Sequence, residues 1–150
     1  MSEGPVHSMV PTTPLADGER VLHSFRPDRG AYLRDHAWLA AGAMALGMAV
    51  LWVIGNPHVW TGAVGGLAAV AVRGGYLASD ELQARWDLTD RRLLGPLTRA
   101  VPLADIRLVR GLGSAVQVVT RSGDKHLIKY QADRAETEAR LRAAAGLREG

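Results

Sequence analysis

Cysteine is absent from the 150-residue chain, and with it go disulfides, thiolate nucleophiles and every metal site built on thiolate. A large excess of one charge is also missing. Eighteen Lys and Arg stand against 15 Asp and Glu, interspersed, for a net charge of +3. That balance argues against nucleic acid as a partner. The first twenty residues lack an apolar core and include Glu3, Asp17 and Glu19, so they do not read as a signal peptide. Most telling is where charge itself runs out. Residues 37–79 hold one charged side chain, Arg73, between two densely charged flanks. A mean hydropathy near zero hides that asymmetry.

What fills the uncharged region is two apolar runs. Ala37 to Ile54 is eighteen residues without a charge. As a helix it reaches about 27 Å, close to the roughly 30 Å hydrocarbon core of a bilayer. Val59 to Ala78 is about as long but is interrupted by Arg73. Arginine at the centre of a span costs about 2.5–3.5 kcal/mol on insertion scales, yet near an end it reaches the interface. Trp38, Trp52, Trp60 and Tyr76 cluster near the ends of the runs, as an aromatic belt places them. A soluble helical hairpin this apolar on every face would need more protein to cover it than the chain contains. The turn is "GNPH", 55–58, where Gly55 ends one helix and Pro57 fits inside neither. Arg20, Arg26, Arg29 and Arg34 precede the first run, Arg85, Arg91 and Arg92 follow the second, and the turn carries no Lys or Arg. The positive-inside bias then places both termini in the cytoplasm. Small residues recur at Ala41, Ala45 and Ala49, and Gly62 with Gly66 forms a GxxxG, so helix backbones can approach closely there. These ridges either pair the two helices with each other or dock another membrane protein.

The organisation expected is therefore a disordered tail over 1–18, a cytoplasmic lead-in over 19–36, a transmembrane hairpin over 37–79, and a cytoplasmic β domain with an end helix over 80–150. In that last segment "QARWDLT" alternates before the turn-forming "TDRR", and "RLLG" and "RAVPL" are broken by Gly95-Pro96. "DIRLVRGLG" is a further strand, with Ile106, Leu108 and Val109 half-buried. "AVQVVTRSGDKHLIKYQ" is the clearest hairpin, around Ser122-Gly123-Asp124. Asp133 caps a closing helix, Glu136 completes a capping-box pattern, and Thr137, Leu141, Ala144 and Ala145 share a face before Gly146.

The string "WDLTDRRLL…AVPLADIRLV…VQVVTRSGDKHLIKY…DRAETEARLRAA" resembles the bacterial pleckstrin-homology-like domain of small membrane proteins, the YdbS-like family. "GERVLHSFRPDRGAYLRDHAW" is similar to the segment leading into their first span. The likeness runs from about Gly18 to Leu147. It implies a membrane protein of α+β class: a two-span hairpin followed by a small antiparallel pleckstrin-homology-like β domain with a C-terminal helix. The strand region after the hairpin is short for a whole barrel. The domain therefore either takes a strand from Glu19–Arg26 or pairs with a partner.

No catalytic constellation is legible. His7, His23, His36, His58 and His126 lie far apart without metal-ligand spacing. Gly111-Leu112-Gly113-Ser114 precedes a strand, not a helix that would present its N-terminus to phosphate. Asp87 and Asp90 flank a turn, where carboxylates serve backbone hydrogen bonds. No enzyme, cofactor or metal is expected. Binding candidates are Arg107, Arg110, Arg121, Lys125 and Lys129, with Arg73, Arg91 and Arg92. They form either a basic face toward lipid or a partner, or solvated positions offset by Asp105 and Asp124. A similar pairing of spans with a pleckstrin-like domain occurs in photosynthetic-complex assembly proteins. The expected function is a non-catalytic accessory or assembly subunit of a larger inner-membrane protein or complex. The alternatives are a module sensing anionic membrane lipids and a homo-oligomeric scaffold joined through Gly62 and Gly66.

Overall fold

The computed structural model describes residues 9–147; the first eight residues of the expected tail lie outside them. The class is α+β, with two compact units. One comprises Tyr32–Ser79, and the other comprises the segments that flank it.

The flanking segments build two antiparallel sheets. Strands β1 (Val21–Phe25), β2 (Trp86–Thr89), β3 (Arg92–Leu94) and β4 (Ala100–Pro102) lie side by side in that order. Strands β5 (Ile106–Leu112), β6 (Ala115–Thr120) and β7 (Lys125–Ile128) form the second sheet. In the first, Phe25 pairs with Trp86, Leu88 with Leu93, and Leu93 with Val101, so one face becomes a continuous apolar row. The β2–β3 turn is set by Thr89, whose hydroxyl accepts the amides of Arg91 and Arg92 at 3.1 and 2.8 Å. The β5–β6 loop has two residues, Gly113 and Ser114, between paired Leu112 and Ala115. Gly113 takes φ +61° at the first of them, as a type II′ hairpin turn requires.

The end helix α3 (Arg134–Ala145) closes this core. Asp133 caps it by accepting the Glu136 amide at 3.1 Å. Glu136 does not return the bond to the cap; its carboxylate takes the Arg140 guanidinium at 3.0 Å instead. Gly146 ends the helix at φ +71°, and the Leu147 amide donates back to Arg142 O at 2.8 Å, a Schellman termination. Leu141 is fully buried among Val109, Val116, Val118 and Ile128, joined by Phe25, Trp86 and Leu93 from the first sheet. Arg142 also donates to Val109 O at 2.7 Å and Arg134 to Gly113 O at 3.0 Å, so α3 is tied both to β5 and to the turn that follows it.

Residues 9–18 correct the expected disordered tail. The Arg85 amide donates to Met9 O at 2.9 Å, the Leu97 amide to Val10 O at 3.0 Å, and the Thr12 amide to Leu97 O at 2.8 Å. Pro11 bridges Leu97 in parallel. Proline removes only a donor at such an outer bridge, so it does not signal disorder there.

In the other unit, α1 (Arg29–Val53) and α2 (Trp60–Glu81) form an antiparallel hairpin. Their seam is made of small residues: a Cβ at Gly62 would overlap the Gly47 backbone, and one at Gly66 would overlap Ala43 and Met44. Farther along, the Tyr32 hydroxyl donates to Gly74 O at 2.6 Å, and the His36 ring stacks on Tyr32 with centroids 4.0 Å apart. The expectation of two spans is met in part. Among the described residues, α1 alone is long and apolar enough to cross a membrane by length and composition. The 22-residue α2 is long enough, but Arg73 and five glycines lower its hydropathy.

Candidate functional site

The second sheet has two unlike faces, and its register fixes which side chains share each. Val116, Val118 and Ile128 turn to the core. The other face carries two paired rows, Leu108 with Val119 and Lys125, and Arg110 with Gln117 and Leu127. Leu112 and Ala115 pair in the next row, and Lys129, one residue beyond β7, continues the alternation that places Lys125 and Leu127 there. Leu108, Leu112 and Leu127 are 38%, 45% and 39% exposed. Beneath them Gln117 and Val119 are buried although they point outward, because the flanking side chains roof the central strand. Gln117 accepts from Arg110 Nε at 2.6 Å, which lays that guanidinium along the sheet. The face is therefore flat, half apolar and basic.

Of the five basic residues expected to cooperate, the strands bring Arg110, Lys125 and Lys129 to this face. Arg107 falls in the irregular stretch between Ile106 and Leu108, where the register shifts. Arg121 lies in the β6–β7 loop, its amide on Asp105 O at 2.8 Å. At the border of the face, Lys129 Nζ is 3.7 Å from Glu81, and Asp124 precedes Lys125. Near an anionic membrane surface each basic side chain contributes about 1 kcal/mol.

Arg92 has a structural role. Its guanidinium grips the buried Glu19 carboxylate through both Nε and Nη2 and donates to Pro14 O at 3.1 Å. The Thr89 hydroxyl adds a bond to Glu19 at 2.6 Å. Arg92 first, then Thr89 and the Ala16 amide, hold the Glu19 carboxyl down at about 2, against 4.5 for an ordinary one. The same pairing raises the Arg92 guanidinium above its usual value. This knot fastens the N-terminal segment to the β2–β3 hairpin. Arg91 beside it is exposed, and Asp90 accepts the Arg20 amide at 3.1 Å.

In the helical unit Gly62 and Gly66 are used within the chain, against Gly47 and Ala43. Ala41, Ala45 and Ala49 do not join them; all three are exposed, and the inner ridge of α1 runs through Ala40, Ala43 and Gly47. Arg73 is exposed on α2.

A groove of about 250 Å³ runs between β1 and α3, lined by His23, Ser24, Gln131, Asp133 and Thr137 among others. Its polar groups serve the fold. Ser24 Oγ donates to Asp87 at 2.8 Å, Thr137 Oγ1 to Gln131 at 2.9 Å, and Asp133 caps α3. His126 packs edge-on to Trp86 at 5.9 Å. Desolvation foremost, then the charge of Arg99, lowers its pKa. Among the described residues no group of His, Asp and Glu has the arrangement of a metal site.

Sequence reasoning missed Leu112, Leu127 and Gln117, and read Leu108 as half-buried without assigning it to this face. Their shared face depends on the register shift at Arg107, which no single strand reveals. Compared with protein-family models, curated proteins and solved structures, the chain shows no significant match.

Proposed function

We propose that this protein is a non-catalytic accessory or assembly subunit of a larger inner-membrane protein complex. Its helical hairpin crosses the bilayer twice and its β domain stays on the cytoplasmic side. The observation that carries the reading is the inverted burial of the hairpin. Trp52 and Tyr76 are 74% and 82% exposed, Leu46, Val53 and Val72 stand outward with them, and glycine and alanine fill the seam. Water does not favour such an exterior; hydrocarbon does. The aromatic residues frame it on both helices. Trp38 and Trp52 are about 21 Å apart along α1, and Trp60 and Tyr76 about 24 Å along α2.

Topology supports a return crossing by α2 despite its modest hydropathy. β1 precedes α1, β2 follows α2, and the two strands pair with each other. A single crossing would leave them on opposite sides of the bilayer. Arg73, near the Tyr76 end, reaches the interface by snorkelling. The domain, a four-stranded sheet, a three-stranded sheet and a closing helix, agrees with a pleckstrin-homology-like arrangement. The outward ridge Ala41, Ala45 and Ala49 offers a smooth flank to a partner's helices. The test is fractionation followed by mild-detergent purification. The expected result is a protein that resists alkaline extraction and retains a stoichiometric membrane partner. A monodisperse full-length chain in the detergent-free supernatant overturns the reading.

A further inference from the structure

We propose that the outer face of the β5–β6–β7 sheet binds anionic lipid headgroups and so lays the domain against the bilayer. The inference rests on the membrane reading above, which supplies a bilayer within reach of the domain, but it concerns a different surface.

Three features of the face select lipid over protein. The first is charge: Arg110 and Lys125 stand on rows that contain no carboxylate, and Lys129 follows just past β7, with Glu81 and Asp124 only at the border. The second is composition. Protein interfaces concentrate aromatic residues and arginine and are depleted in lysine. Here the cations include two lysines, the one arginine is already held by Gln117, and the apolar residues are leucines with no aromatic among them. Half-exposed leucines flanked by lysines are the pattern of segments that lie in a membrane interface. The third is spacing. Lys129 lies one residue past β7, four residues from Lys125 and about 13 Å from it along extended chain, a spacing that suits separate headgroups in a plane. The face needs no rearrangement to meet such a plane, because Gln117 and Val119 are already roofed by their neighbours.

The cysteine-free sequence makes the test clean. Full-length Leu127→Cys, carrying a nitroxide, is reconstituted into nanodiscs of phosphatidylcholine alone or mixed with phosphatidylglycerol. Collision with a water-soluble relaxation agent is then measured. The expected result is shielding of the label in the phosphatidylglycerol discs, loss of that shielding at high salt, and little shielding in phosphatidylcholine. Lys125→Glu with Lys129→Gln, both at exposed positions, removes two cations and adds an anion, and weakens the surface contact by at least about thirtyfold, about a factor of five per basic residue lost. Retention of the near-ultraviolet tryptophan signal, to which the buried Trp86 contributes, shows that this variant is folded. Equal exposure of the label in both kinds of disc overturns the inference, as does shielding that appears only when a co-purifying protein is present. Neither result touches the membrane reading, which fails separately if the chain does not enter discs at all.

Discussion

In the β domain Leu93, Val116, Val118 and Leu141 are sealed away, and the charged residues lie mostly outside. In the hairpin the order is reversed: Trp38, Trp52, Trp60 and Tyr76 face outward, and the interior is Gly47, Gly62, Gly66 and Ala43. On the membrane reading proposed above, the difference lies in the medium each surface meets. Removing apolar area from water drives the domain together at about 25 cal/mol per Å². Between helices in lipid that drive vanishes, and close backbone approach takes its place.

Substitutions sharpen the contrast, and the largest effect belongs to the domain. Leu141→Ala removes the fully buried anchor of α3 and costs about 2–5 kcal/mol, read from denaturant unfolding. Leu22→Lys, on the exposed side of β1, stays within about 0.5 kcal/mol in the same assay. The identical change at an equally bare position of the hairpin behaves otherwise. Leu46→Lys, midway between Trp38 and Trp52, costs about 2.5–3.5 kcal/mol of membrane insertion, read from the fraction resisting alkaline extraction. If Leu46→Lys proves as silent as Leu22→Lys, the two units share one solvent and the contrast is lost. Next in size is Gly62→Ile, which drives a side chain into the Gly47 backbone and costs about 1–3 kcal/mol in detergent unfolding, whereas Ala45→Ile on the outward ridge leaves the hairpin unaffected.

The smallest effect concerns pH. Glu19 has its folded pKa depressed from 4.5 to about 2. The stability it confers is complete above 4.5 and is lost as pH falls through that window toward 2. Wild-type melting temperature therefore drops across this range by more than that of Glu19→Gln, in which the group no longer titrates. Parallel curves would show that the knot with Arg92 contributes nothing.

Local chemistry made much of this legible. Asp133 and Gly146 mark α3 at both ends, and the charge-free run marks α1, because caps and solvent preference act within a few residues. What stayed hidden depends on distant partners. Arg92 looks like a free cation until Glu19, 73 positions away, closes on it. The seam of α1 runs through Ala43 and Gly47, and because alanines and glycines occupy every side of that helix, spacing alone does not choose them over Ala41 and Ala45. The outer face of the second sheet requires register across three strands, and a register shift at one residue decides which side a leucine faces.

The placement of the hairpin between β1 and β2 carries a consequence for biogenesis. Phe25 leaves the ribosome before the hairpin, and its partner Trp86 leaves after it, so the first sheet stays an open ribbon until both helices have been handled. If the hairpin inserts as proposed, a finished first sheet is a certificate that insertion succeeded.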